Sequence, residues 1–278
     1  MESAMFGDDR IGIIGLGNMG SAIIKGLLSS GVVLRQNILG YDHRPEPRNY
    51  LNTEFGVHVT NSCDELVGES DCIILAVKPK DIDDVLMRIG SQVGVHKTVI
   101  SIAAGVTARH IEYLLNTGTP VVRVMPNTPA LVGEGMSALF LGKYADLKQK
   151  IQAEAIFSSL GQVVTVTDER LMDVVTGVSG SGPAYFFYLI QCLTEVAEEE
   201  GIPEEDARRL ASQTALGAAR MVIATGEDPA VLRERVTSPG GTTEAAFEVF
   251  RELKLGEIYK KGVERAIQRS RELSRGGP

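Results

Sequence analysis

Residues 11–27 read IGIIGLGNMGSAIIKGL. A short apolar run leads into Gly15, Gly17 and Gly20, spaced as GxGxxG, and apolar residues at helical spacing follow. The three glycines alone say little. Placed after a strand and at the start of a helix, they form a dinucleotide-binding signature. The first glycine permits the tight turn, the second lets backbone approach a pyrophosphate, and the third lets helix and strand pack closely. The helix N-terminus adds partial positive charge. Backbone of Ile14, Gly15, Leu16, Gly17, Asn18 and Met19 is therefore expected to hold the cofactor.

The pattern repeats outward from this point. Apolar runs rich in β-branched residues lie at 11–14, 37–41, 71–77, 98–102 and 121–125, with helical spacing between them at 21–29, 81–89 and 108–115. Strand–helix alternation predicts parallel strands joined by crossover helices. Residues 136–167 are expected to complete this part with a strand, a helix over 145–160 and a last strand over 162–166. Beyond about 167 the strand signals stop, and Ala, Leu, Glu and Arg dominate, which favours helix. Breaks fall at Gly201-Ile202-Pro203 and at TGEDPA, 225–230, and SRGGP at 274–278 reads as a frayed tail. The expected fold is an α/β Rossmann-like N-terminal domain, 1–167, followed by an all-α C-terminal domain, 168–278.

Composition narrows the function. The 278 residues carry 28 Lys+Arg and 36 Asp+Glu, a net charge of −8, which disfavours nucleic-acid binding. Three cysteines without CxxC spacing argue against a disulfide framework or a zinc site, and Cys72 reads as core. Four scattered histidines form no HxxxH pair, so no metal is expected. No signal peptide or membrane-spanning run is visible, so a cytoplasmic protein without membrane association is expected.

The second strand ends at YDHRPEPR, 41–48. Asp42 lies 22 residues after Gly20, near the spacing of an acid that accepts the ribose 2′-OH of NAD. Arg44 and Arg48 follow and could pair the 2′-phosphate of NADP, or simply solvate a loop, so the balance tips only slightly to NADH. Three further strand ends, LAVKP at 75–79, SIAAG at 101–105 and RVMPNTPALVGEG at 123–135, lie where open α/β sheets bind ligands.

GLGNMG, LAVKP, RVMPNTP, GVSGSGPAYFFYL and VTSPGGTTEAAF occur in this order. Together they resemble the pyrroline-5-carboxylate reductase family over nearly the whole chain. The resemblance implies reduction of L-1-pyrroline-5-carboxylate to L-proline with NADPH or NADH, the last step of proline synthesis. It also implies a helical domain that pairs two copies into a homodimer, which can assemble further into a ring. The nicotinamide would lie near Ala76, Val77, Lys78 and Pro79, the Ala103-Ala104-Gly105 segment and Asn127. The loop Ser238–Thr243 would hold the substrate carboxylate, with Thr243 reaching the ring nitrogen. Cys63 stands in the loop before the DCIILAVKP strand, where many members carry Asn.

The residues of that loop carry a physical reason of their own. Positions 243–253 have Ala246, Phe247, Phe250 and Leu253 on one side, an amphipathic helix. Ser238, Gly240, Gly241 and Thr242 then present its N-terminus, whose unpaired N–H groups suit a carboxylate. The same residues also make an ordinary cap between helices. Ser179, Ser181 and Tyr185 either line the pocket or serve close packing. FFYLI at 186–190 is apolar all round and reads as buried in a dimer core. Glu195 and Glu198–Glu200 read as a solvated face, and Met87, Met125, Met136, Met172 and Met221 as core filler. A β-hydroxyacid dehydrogenase would need a catalytic lysine after the SGSGPAYFFY turn, and none occurs between it and Lys254. A reductase of another cyclic imino acid and a non-catalytic dinucleotide sensor are the remaining alternatives.

Overall fold

The computed structural model describes residues 6–274, and the tail 275–278 lies outside the described residues. The glycine-rich turn joins β1 (Ile11–Ile14) to α1 (Asn18–Ser30). The remaining strands are β2 (Ile38–Tyr41), β3 (His58–Val59), β4 (Cys72–Leu75), β5 (Thr98–Ser101), β6 (Val121–Met125), β7 (Gly135–Leu141) and β8 (Gly161–Val166). They form one sheet in the order β3-β2-β1-β4-β5-β6-β7-β8. Neighbours from β3 to β6 are parallel, β7 runs antiparallel to β6, and β8 is parallel to β7. Ile11 pairs with Ile38 on one side and Cys72 on the other, so the strand order reverses at β1. Open α/β sheets bind ligands at such a switch point, beyond the strands' carboxyl ends.

Side chains alternate faces along a strand, and the core splits accordingly. Ile11, Ile13, Cys72, Ile74 and Ile100 pack with Ile23, Ile24 and Leu27 of α1 and with Ile156 and Phe157. Ile14, Ile73, Leu75 and Val99 pack on the opposite face with Leu66, Leu86 and Ile111. The continuous apolar character of CIIL follows from this burial on both faces.

The expected strands are present, with ends shifted by a few residues. Two helices were not anticipated. α2 (Pro45–Phe55) looks like a loop because of Pro45 and Pro47, yet both prolines sit in its first turn, where no N–H bond is lost. α3 (Cys63–Glu69) places Cys63 inside a helix, which corrects its assignment to a loop. Ser62 Oγ accepts the Glu65 N–H at 3.1 Å, and Glu65 Oε2 accepts the Asn61 N–H at 2.9 Å. The Ser-x-x-Glu capping signal was present in the sequence.

On this side of the chain, α4 (Ile82–Ile89), α5 (Ala108–Leu114), α6 (Leu147–Ser158) and α7 (Leu171–Val175) complete the layers, and a π-helical turn, Thr176–Gly180, follows α7. The compact units divide at Ser181, thirteen residues later than the composition change suggests, and the chain returns to the first unit at Ile267. A Cβ added at Gly180 would meet Met125, and one at Gly177 would run into Ile267, which is why this turn belongs with the sheet.

The second unit, Ser181–Ala266, comprises α8 (Gly182–Glu199), α9 (Glu204–Thr225), α10 (Pro229–Arg235), α11 (Thr242–Glu252) and the first part of α12 (Leu255–Ser274). Gly201 at φ 95° breaks α8 from α9, and Asp228 caps α10 by accepting the Ala230 N–H at 2.7 Å. Phe186, Phe187 and Tyr188 are 59%, 63% and 65% exposed in the single chain. Met172 is buried, whereas Met87 of the sheet unit is exposed and is not core filler; Met221, on α9, is exposed in the single chain.

Candidate active site

A cleft of about 600 Å³ opens at the carboxyl ends of β1, β2 and β4. Two of the three motif glycines are required by close contacts within the chain. A Cβ at Gly15 would stand 2.6 Å from the Ala76 carbonyl oxygen, and one at Gly20 would overlap the Gly15 carbonyl. A Cβ at Gly17 would meet nothing within 4 Å, because that position faces open space. Gly17 caps α1 without a side-chain acceptor, and the first turn of α1 carries no acidic residue. Its leading N–H groups and dipole therefore suit an anion. This arrangement fits a dinucleotide pyrophosphate.

Asp42 lies just past β2 and is 4% exposed. Its Oδ2 accepts the Leu16 N–H at 2.9 Å and Arg44 Nη2 at 3.1 Å. Its Oδ1 accepts the Arg44 N–H at 2.9 Å and Nε at 3.0 Å. Burial alone would raise the carboxyl, but the Arg44 side chain and the Arg44 and Leu16 N–H groups outweigh it and hold it down at about 2. A carboxylate offers roughly four acceptor positions, and these donors fill them. Asp42 thus braces the glycine-rich turn, while the half-exposed Arg44 stands at the rim.

Ile14, Gly15, Gly17, Asp42, Arg44, Ala76, Val77 and Lys78 all line the cleft. Leu16 and Asn18 line an adjoining recess with Gly17 and Arg44. Met19 packs partly buried against the core instead. Pro79 opens a 3₁₀ turn, Pro79–Asp81, that leads into α4. Ala104 and Gly105 lie on the loop after β5, with Gly105 at φ 77°. Asn127 uses its side chain internally: Oδ1 accepts the Met136 N–H at 2.8 Å, and Nδ2 donates to Ser179 O and Oγ at 3.3 Å. The sequence reading missed Tyr41, His43, Lys80, Asp84, Val85 and Arg88, which also line the cleft. Lys80, Asp84 and Arg88 belong to the segment after LAVKP, where helical spacing hid their common face.

Cys63 also lines the cleft, and burial pushes its thiol up to about 11, against the pull of Arg88. The thiol is therefore neutral and unreactive at neutral pH. His58, Glu65 and Glu69 converge within 4.8 Å at the surface. Glu65 accepts the Asn61 N–H there and Glu69 pairs with Arg10 at 2.7 Å, so both carboxylates have protein partners.

The second unit holds the other expected site residues. Ser238 and Gly240 are exposed, and Gly240 has φ 71°. Gly241 caps α11 without a side-chain acceptor, and Thr242 and Thr243 open the helix. A Cβ at Gly241 would sit 2.9 Å from the Ser238 carbonyl oxygen, so the turn needs glycine there. The Gly240 N–H donates to Glu244 Oε2 at 2.6 Å. Ser181 caps α8 without a side-chain bond to it.

A glycine-rich turn at the switch point of a parallel sheet, opening an uncapped helix, defines a dinucleotide-binding fold of the oxidoreductase class. Comparison with known proteins agrees. Residues 10–105 match the family model described as NADP oxidoreductase, coenzyme F420-dependent, and residues 169–273 match that for pyrroline-5-carboxylate reductase dimerisation. A pyrroline-5-carboxylate reductase of Pseudomonas aeruginosa is 41% identical over 95% of this chain and 97% of its own. A solved pyrroline-5-carboxylate reductase from Coxiella burnetii superposes with a TM-score of 0.90 at 37% identity, covering 96% of this chain and 98% of that one. The Plasmodium falciparum pyrroline carboxylate reductase, solved with NADP bound, gives 0.86 at 29% identity over 96% of this chain and 98% of its own. The chain belongs to the pyrroline-5-carboxylate reductase family.

Proposed function

We propose that the chain reduces L-1-pyrroline-5-carboxylate to L-proline, using NADPH or NADH, as a cytoplasmic homodimer that can assemble further into a ring. No helix among the described residues is long and apolar enough to cross a membrane. The observation that carries the reading is the pairing, in one chain of this family, of an uncapped α1 behind GxGxxG with an uncapped α11 behind SPGGTT.

The bound nicotinamide supplies a hydride to the imine carbon, and the imine nitrogen ends with the proton. The residues of this chain bind and orient. Gly15, Gly17 and the first turn of α1 hold the pyrophosphate, and Arg44 serves the adenosine end. The segments Ala76–Pro79 and Ala104-Gly105, and the backbone at Asn127, face the nicotinamide half. Ser238 and the N–H groups at Thr242 and Thr243 receive the substrate carboxylate, aided by the dipole of α11, while the Gly241 N–H closes the turn on the Ser238 carbonyl at 3.0 Å. Ser181 contributes a hydroxyl to the substrate site. Thr243 orients the imine nitrogen through its hydroxyl. A threonine hydroxyl is a weak acid, and a substrate bound as the iminium already carries its proton, so Thr243 need not act as a general acid. The domain roles follow: cofactor binding over 1–167, substrate binding and dimerisation over 168–278.

The test is an initial-rate assay with pyrroline-5-carboxylate and each cofactor. Thr243→Ala should lower kcat about 10- to 100-fold while leaving cofactor affinity unchanged, and Thr243→Ser should recover most of it. Wild-type protein that binds cofactor without turnover would favour the sensor or a different cyclic imino acid.

A further inference from the structure

The last turns of α12 have no part in the function described so far. They return to the first unit at Ile267, after the whole helical unit has intervened. There they meet two glycines. A Cβ at Gly177 would run into Ile267, its backbone nitrogen included. At Gly105 a Cβ would stand 3.4 Å from Leu273 Cβ, 3.6 Å from its carbonyl carbon and 3.7 Å from the Ser274 nitrogen. Backbone of the last turn of α12 therefore lies directly over the loop that follows β5. Gly105 is left-handed at φ 77°, so it also shapes that loop.

One carboxylate fixes this end of the helix. Asp173 Oδ1 accepts the hydroxyl of Ser270 at 2.7 Å and that of Ser274 at 3.0 Å. Ser270 is 4% exposed, so its bond is shielded from water. The two serines are four residues apart on one helical face, and Leu273 lies beside Ser274 over Gly105. The loop itself has only long hydrogen bonds, Val106 N–H to the Ala103 carbonyl at 3.4 Å and Ala103 N–H to Ser101 Oγ at 3.3 Å, although the side chain of Ala103 is buried in the core and Val106 packs against it.

We propose that Asp173, Ser270 and Ser274 form a clamp that presses the end of α12 onto the loop 103–106 and so sets its shape. Asp173 is a positioning residue for that loop. The claim about loop order stands on contacts within the first unit alone. Its consequence for the nicotinamide half of the cofactor rests on the function proposed above.

Hydrogen exchange on the full-length free protein tests the clamp without any ligand. Asp173→Ala should speed exchange of the amides at 103–106 about tenfold, leaving β1 and β4 unchanged. Asp173→Asn keeps an acceptor for both hydroxyls and should restore protection. If Asp173→Ala proves poorly folded, the Ser270→Ala/Ser274→Ala double variant carries the same expectation through the other partners. Unchanged exchange at 103–106, or equal acceleration throughout the sheet, would overturn the clamp. A titration then reads the consequence: affinity for NADPH should fall several-fold in Asp173→Ala, whereas that for adenosine 2′,5′-bisphosphate should not change. Equal losses for both ligands would assign Asp173 a general structural role. Failure of the wild type to bind either ligand would refute the cofactor assignment, while the exchange result still decides the clamp.

Discussion

The two units of this chain solve the problem of apolar surface in opposite ways. The sheet unit buries two clusters, one on each face of its strands, and large side chains such as Ile23, Leu27, Leu66 and Phe157 are fully enclosed. In Ser181–Ala266 the buried residues are only Gly182, Ala207 and Ala211, all small. Its Phe186, Phe187, Tyr188, Leu193 and Ile223 are more than half exposed in the single chain. Monomers rarely expose so many large apolar side chains in one unit. The first unit's pattern closes on itself, whereas the second is written for a partner, in agreement with the dimerisation family it matches.

The sharpest way to break this contrast is a charge on the helical unit. Phe187→Glu occurs twice in a dimer, and each copy forfeits about 2 kcal/mol of burial besides placing a charge in an apolar interface. The dimer dissociation constant should rise about 1,000-fold or more, seen as monomer or aggregate by sedimentation. Met87→Glu, on the 67% exposed Met87 of the sheet unit, should leave the mass unchanged. A smaller effect separates two glycines within the sheet unit. Gly20→Ala should cost about 3 kcal/mol in denaturant midpoints, because its Cβ overlaps the Gly15 carbonyl. Gly17→Ala should stay within about 1 kcal/mol of wild type yet weaken cofactor binding at least tenfold, since its methyl enters the space left for the pyrophosphate.

A subtler division concerns Asp42 and Arg44. With the carboxylate filled by internal donors, Arg44→Ala should lower affinity for NADPH about tenfold relative to NADH. Asp42→Asn keeps one acceptor oxygen and should lower NADH and NADPH affinity alike, because the acid acts through the turn that it braces. A loss confined to NADH would return Asp42 to the ribose. The smallest expected effect is on acid stability. Asp42 titrates at about 2 in the folded protein, below its ordinary 3.8. Its contribution is complete above pH 4 and lost as pH falls toward 2. Denaturant midpoints compared at pH 5 and pH 3 should drop about 1 kcal/mol less in Asp42→Asn than in wild type.

Much of the fold was legible because it is periodic. The runs around Ile11, Cys72 and Val121 are buried on both faces, and such strands announce themselves. Elements without a periodic apolar run were not legible. The two-residue β3 and the seven-residue α3 are held by caps and neighbours, and only Ser62 with Glu65 left a trace. The glycine-rich half of the cleft could be read because each glycine has a local reason. Lys80 and Arg88 could not, since charged residues on a helix look alike whether they face a cleft or solvent. Asp42 shows a different limit: spacing placed it at the rim, but only coordinates show that its acceptors are already taken.

The return of the chain at Ile267 bears on the order of events at the ribosome. Residues 181–266 emerge before the segment that lies over Gly105 and Gly177. Domains generally fold as units during synthesis, N-terminal first. Here the β-sheet and the helices that pack on it can assemble early, but the segment over Gly105 and Gly177 is delivered last, after a helical unit that seeks a second copy. The nascent chain thus exposes its pairing surface while the loop after β5 still waits for its lid, so assembly can begin before the cofactor half is finished.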